Sequence, residues 1–209
     1  MNLQVEKRIC GCSMRRNRRA IAKFLFCLGI LEGKAFQLFG RISQKVGLPR
    51  AKFSLLYVAY DSLKNSVILW ELSKNFTMSE VKAEDYEKIL GEVWKMAEGL
   101  SKDILKLEKI TKEDLLSFAE KLISMYALMI VELKTLRFMS KEISEAYNVD
   151  LEVLESILDL IVEDEETDTT VLMTLKDLFE KKPAEIVDSS PLTKYINPDR
   201  WYEPAAAQG

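Results

Sequence analysis

Apolar residues recur along most of this chain at alternating steps of three and four, the spacing of one face of an α-helix. The run from Leu151 to Phe179 is the clearest. It reads Leu151, Leu154, Leu158, Ile161, Glu165, Asp168, Leu172, Leu175 and Phe179, a helix with one apolar seam and two acids set into it. A second helix is predicted over about residues 17–46, with Ile21, Leu25, Leu28, Glu32, Ala35, Phe39, Ile42 and Val46 as its seam and Gly47 and Pro49 as its stop. Pro49 suits the first position of the next helix, about residues 50–74. Its main apolar stripe is Leu56, Ala59, Leu63, Val67 and Trp70, beside a mixed row of Ser54, Val58, Asp61, Asn65, Ile68 and Leu72. Residues 83–107 form a further helical piece through Tyr86, Leu90, Trp94 and Ala97, with Gly91 and Gly99 as weak points. Thr111 and Asp114 resemble a capping box. They open a helix over about residues 112–147 with the seam Phe118, Leu122, Met125, Met129, Glu132, Leu136, Met139 and Ile143, ended by Asn148. Asp150 then caps the last helix.

The chain accordingly divides into a flexible basic N-terminal segment, 1–16, a helical bundle, 17–182, and an extended tail, 183–209. The tail is rich in proline, lacks any period, and carries Tyr195, Trp201 and Tyr202 as residues to dock it. An apolar content of 48% with 30% charge is enough to bury a substantial core. A net charge of −3 gives no overall attraction to nucleic acid or anionic membrane. The distribution is uneven, however. Residues 1–23 carry Lys7, Arg8, Arg15, Arg16, Arg18, Arg19 and Lys23 against Glu6 alone, while nine acids and no base lie between Asp150 and Asp168. Four arginines at the head of a helix oppose its dipole, so Arg15, Arg16, Arg18 and Arg19 read either as a site for an anionic partner or as a solvated end. Abundant Lys and Glu with scarce glutamine lean toward a thermophile.

Three cysteines make no disulfide framework, and a reducing cytoplasm is the expected location. Cys10 and Cys12, with Cys27 as the third, fall short of the ligands a metal loop needs. No stretch reaches the ~20 apolar residues of a transmembrane span. Lys23 and Glu32 break up the apolar segment that follows the arginines, which argues against a signal peptide. Met125, Met129 and Met139 lie on a seam and read as packing. Trp70 and Trp94 read as interhelical anchors. Histidine is absent, which removes the usual catalytic triads.

The acids inside the seams are the remaining chemistry. Four long helices each carry one near mid-length: Glu32, Asp61, Glu132 and Glu165, with Asp168 one turn from Glu165. A buried acid costs several kcal/mol unless it is protonated, paired or bound to a metal. In a four-helix bundle these side chains would converge on one interior point.

The segments ILEGKAFQLF, YVAYDSLKNSVIL and IVEDEETDTTVL resemble the first, second and fourth helices of the ferritin-like, rubrerythrin-type di-metal carboxylate proteins. The resemblance covers roughly residues 18–75 and 112–180. It implies an all-α, ferritin-like four-helix bundle with an extra crossover helix between the second and third core helices. It also implies Glu32, Asp61, Glu132 and Glu165 as metal ligands, with Asp168 in a ligand-like place and iron or manganese as the metal. The family's histidine positions, however, hold Asp168 in the fourth helix and Lys64 or Asn65 in the second. An all-oxygen shell favours Mn²⁺, Mg²⁺ or Ca²⁺ over a tightly held iron pair. Two readings stay open. One is a degenerate, metal-free bundle serving as an interaction or scaffold protein, as a homodimer or with a protein partner, its acids protonated or paired to Lys64 and Asn65. The other is a di-metal protein handling iron or peroxide.

Overall fold

The structure, a computed structural model, describes residues 14–74 and 81–180, the side chains of 14–19 and 146–147 excepted. The N-terminal residues with Cys10 and Cys12, the connection at 75–80, and the tail with Tyr195, Trp201 and Tyr202 lie outside the described residues. So do the side chains of Arg15, Arg16, Arg18 and Arg19.

The chain is all-helical, with α1 (Met14–Lys45), α2 (Pro49–Lys74), α3 (Ala83–Leu90), α4 (Glu92–Lys106), α5 (Lys112–Phe138), α6 (Ser140–Tyr147) and α7 (Leu151–Glu180). A lone backbone bridge between Val46 and Ile110 is the only β-type pairing among the described residues. Two helical hairpins make up the body: α1 packs along α2, and α5 along α7. The hairpins meet where α2 touches α7, and α4 fills the opposite side between α1 and α5. Lys45 fixes α4 in place by donating to the terminal carbonyls of Ile104 at 2.9 Å and Leu107 at 2.5 Å. Lys34 of α1 pairs with Glu98 and lies 4.9 Å from the centre of the Trp94 ring.

Capping accounts for several boundaries. Thr111 Oγ1 accepts from the Asp114 amide at 3.1 Å while Asp114 accepts from the Thr111 amide at 3.0 Å, completing the expected box. Asp150 accepts from the Val153 amide at 3.1 Å and opens α7. Asn148, at φ 54°, ends α6 in the left-handed conformation that Asn tolerates. Two expected helices are divided. Gly91, at φ 64°, separates α3 from α4, and a tightened turn at Met139 separates α5 from α6. Helix α1 starts at Met14, inside the stretch expected to lead in to it.

The α1 and α7 seams face the core as the spacing predicts, with Glu32, Glu165 and Asp168 buried among the apolar positions. Helix α2 does not. Leu63, Val67 and Trp70 of its expected main stripe are exposed, and Trp70 is therefore no interhelical anchor. The core instead receives Ala51, Leu55, Val58, Ala59, Ser62, Asn65, Leu69 and Leu72, of which Val58, Asn65 and Leu72 come from the mixed row and Ala59 from the main stripe. The reason is steric. At Gly29 an added Cβ would stand 3.1 Å from the Ser66 carbonyl oxygen and 3.3 Å from the Trp70 amide, and at Gly33 it would stand 3.2 Å from Ser66 Oγ. The two backbones approach closely at this crossing, where Ser66 faces Gly29 and Gly33, and the aromatic residues of α2 lie on its outer side. Ser66 secures the crossing by donating to the Gly29 carbonyl at 2.7 Å.

Gly29→Ala is therefore expected to destabilise the fold by roughly 1–3 kcal/mol, overpacking outweighing the gain in helix propensity. Gly40, with nothing within 4 Å of its added Cβ, provides the control. Gly40→Ala should stabilise by ~1 kcal/mol. Thermal melts should move in opposite directions by about 2–4 °C per kcal/mol for a chain of this size.

Candidate functional site

Each of the four long helices sends a side chain into one interior region. Helix α1 contributes Glu32, α2 contributes Ser62 and Asn65, α5 contributes Tyr126, and α7 contributes Glu165 and Asp168; all six are fully buried. The i, i+3 spacing of Ser62 with Asn65, and of Glu165 with Asp168, puts each pair on one helix face. The Tyr126 hydroxyl shares a 2.8 Å hydrogen bond with Ser62 Oγ, and its ring meets Phe39 edge-on at 5.9 Å. Asn65 Nδ2 donates to Glu165 Oε1 at 3.2 Å.

Donors are scarce beyond these. Neither oxygen of Glu32 or Asp168 has a hydrogen-bond partner, nor do Glu165 Oε2 and Asn65 Oδ1. Three carboxyl groups in such surroundings cannot all ionise. Burial, then the charge of Glu165, drives the Glu32 carboxyl far above its ordinary range. Burial raises Glu165 to about 7, against the lowering effect of Glu32 and of the Asn65 amide. Burial and the Glu165 charge raise Asp168 to about 8. Burial and the neighbouring charge keep the Glu32 carboxyl protonated. Tyr126 is pushed up as well, by burial and then by the same acids.

The other two expected acids are placed differently. Asp61 lies at the edge of the region, its side chain 17% exposed, and turns to Lys64 at 2.9 Å. Lys64 also pairs with Asp164 at 2.9 Å, so one ammonium bridges α2 and α7. Burial opposes the Lys64 charge, but Asp61 and Asp164 together push its pKa upward. Glu132 is half-buried on α5, with one carboxylate oxygen enclosed. Among the described residues, no three His, Cys, Asp or Glu side chains are arranged to hold a metal ion. The third cysteine, Cys27, is buried and its thiol is pushed up to about 12, chiefly by burial, which leaves it inert.

Sequence reasoning missed Tyr126, Ser62 and Asp164. Tyr126 sits beside the Met125 seam position, where an aromatic reads as packing. Asp164 is one of many acids in its run, and only the partner across the helix pair distinguishes it. No described helix is long and apolar enough to cross a membrane.

The raised acids imply a stability that depends on pH. Between the ordinary values of 3.8 and 4.5 and the folded values of about 7 and 8, the folded chain holds protons that the unfolded chain has lost. Stability is then greatest at the acid end of this window and falls as pH rises through it, by up to ~1.4 kcal/mol per pH unit for each such group. Metal-free protein should melt higher at pH 5 than at pH 8.5, by roughly 10 °C or more, and Asp168→Asn should flatten the profile. Compared with protein families, with curated proteins and with solved structures, the chain has no match.

Proposed function

We propose that the chain is a ferritin-like four-helix bundle whose histidine-free centre holds protons in place of a di-metal pair. It serves as a non-catalytic interaction or scaffold protein. The observation that carries this reading is the fate of the second-helix positions where the resembling family places a ligand histidine. Lys64 there neutralises Asp61 and Asp164, and Asn65 donates an amide hydrogen to Glu165. An ammonium and an amide N–H compete with a cation for carboxylate oxygens, whereas an imidazole would have joined it. The residues present therefore do not fit a di-iron or di-manganese pair of the rubrerythrin type. Asn65 to Glu165 and Ser62 with Tyr126 join α2 to α7 and to α5, and these two bonds register the hairpins.

One observation favours a second reading. The unpartnered oxygens of Glu32, Glu165, Asp168 and Asn65 form an all-oxygen set suited to a single hard cation such as Mn²⁺, Mg²⁺ or Ca²⁺. Binding would need these side chains to turn toward one another and Glu32 to lose its proton, so affinity would rise with pH.

Protein purified without chelator at pH 8 separates the two. Under the proposed reading, elemental analysis finds no stoichiometric metal, and added Mn²⁺ or a chelator moves the melting temperature by less than about 1 °C, a shift too small for a ligand well above its Kd. Stoichiometric manganese or iron, lost together with thermal stability in Glu165→Ala, would overturn it in favour of a metal protein.

A further inference from the structure

Helix α2 carries two apolar faces. The inner one packs against α1 and α7. The outer one is Phe53, Leu56, Tyr60, Leu63, Val67 and Trp70, a strict alternation of three and four. That is the a and d pattern of a two-stranded coiled coil. Phe53 is 57% exposed, Tyr60 64%, Val67 51% and Trp70 44%. Scattered surface apolar residues need no explanation, but a continuous heptad seam does. The run is shorter than a free-standing coiled coil requires. Helix α2 is already folded against α1, however, so its ordering is complete before any pairing.

We propose that a second copy of the chain docks on this face, α2 against α2, antiparallel about a two-fold axis between Tyr60 and Leu63. This deepens the interaction half of the proposed function by naming the partner, and it does not depend on what the acidic centre holds. The antiparallel register sets Phe53 opposite Trp70 of the second copy, Leu56 opposite Val67, and Tyr60 opposite Leu63. Every a position thus meets a d position.

Size favours this orientation, since parallel pairing would stack Tyr60 on Tyr60 and Trp70 on Trp70 in place of Tyr60 on Leu63 and Leu56 on Val67. Shape agrees. A recess of about 140 Å³ lined by Gly29, Ile30, Ser66, Val67 and Trp70 opens beside the Trp70 end of the seam. Its floor is the close α1–α2 crossing at Gly29, and the register brings Phe53 of the second copy, opposite Trp70, to its mouth. Area agrees too. With ~200 Å² for a large side chain, the exposed fractions of the seam and of Tyr57 leave roughly 600 Å² on each copy. Pairing removes on the order of 1,200 Å² in total, the lower bound of a specific interface.

Sedimentation equilibrium of the full chain, over about 1–100 µM, tests this. The expected result is a reversible dimer. Tyr60→Glu and Val67→Lys should each weaken it by ~100-fold or more, as substitutions at the centre of an interface do, with circular-dichroism melts little changed at concentrations where the wild type is monomeric. A monomer across the whole range would overturn the proposal and point to another cover for the seam, such as residues 181–209 or a different protein. A dimer indifferent to Tyr60→Glu and Val67→Lys would overturn it as well. Failure of the metal-free reading leaves a different trace, namely bound metal with the association unchanged.

Discussion

Three carboxyl groups, Glu32, Glu165 and Asp168, share one enclosed region with too few donors to satisfy them. Every other feature of the interior answers to that constraint. Low dielectric makes each additional negative charge there more costly than the last, so protons stay on acids that would be ionised in water. Asn65 supplies an amide donor to Glu165, and Lys64 draws the neighbouring acids Asp61 and Asp164 toward the rim. What remains is three acids at the junction of the two hairpins, with the Asn65 amide bonded to one of them.

The same helix that brings Asn65 to this centre presents the outer seam. The two faces of α2 are linked by the α1–α2 crossing. Gly29 and Gly33 let the backbones approach, the crossing admits no aromatic ring between them, and the aromatic residues of α2 lie at the surface. A tight inner interface and an exposed apolar stripe thus have a common cause. The aromatic pair Phe36 and Tyr60, 6.3 Å between ring centres, supports the outer stripe from α1. Lys74 lies 3.6 Å from the centre of the Trp70 ring and covers its end.

Conservative replacements within the centre differ in kind from those in an apolar core. Asp168→Asn keeps the shape of the side chain and removes an ionisation that the fold opposes, whereas an apolar core position has no such gain to offer. The fold carries its acids at a standing cost near neutral pH. Natural chains tend to retain costs of that sort where specificity or ligand binding depends on them.

Read alone, the sequence determined the helices, most of their ends, and three of the four long seams. Those follow from local rules: a 3.6-residue period, Thr111 with Asp114, Asp150, and Asn148 in the left-handed region. It also placed Glu32, Glu165 and Asp168 in the interior, because each replaces an apolar residue in an otherwise unbroken seam. Tertiary structure decided the rest. A period of three and four on α2 fits two faces at once, and only the depth of the Gly29 crossing settles which one is buried. Periodicity along α2 places Asp61 near the seam but carries no record of Lys64 bridging to Asp164 on α7, a contact across a hundred residues of chain. Whether an acid points inward or takes a salt bridge at the rim depends on which charge stands across from it, and that is a property of packed helices, not of any one helix.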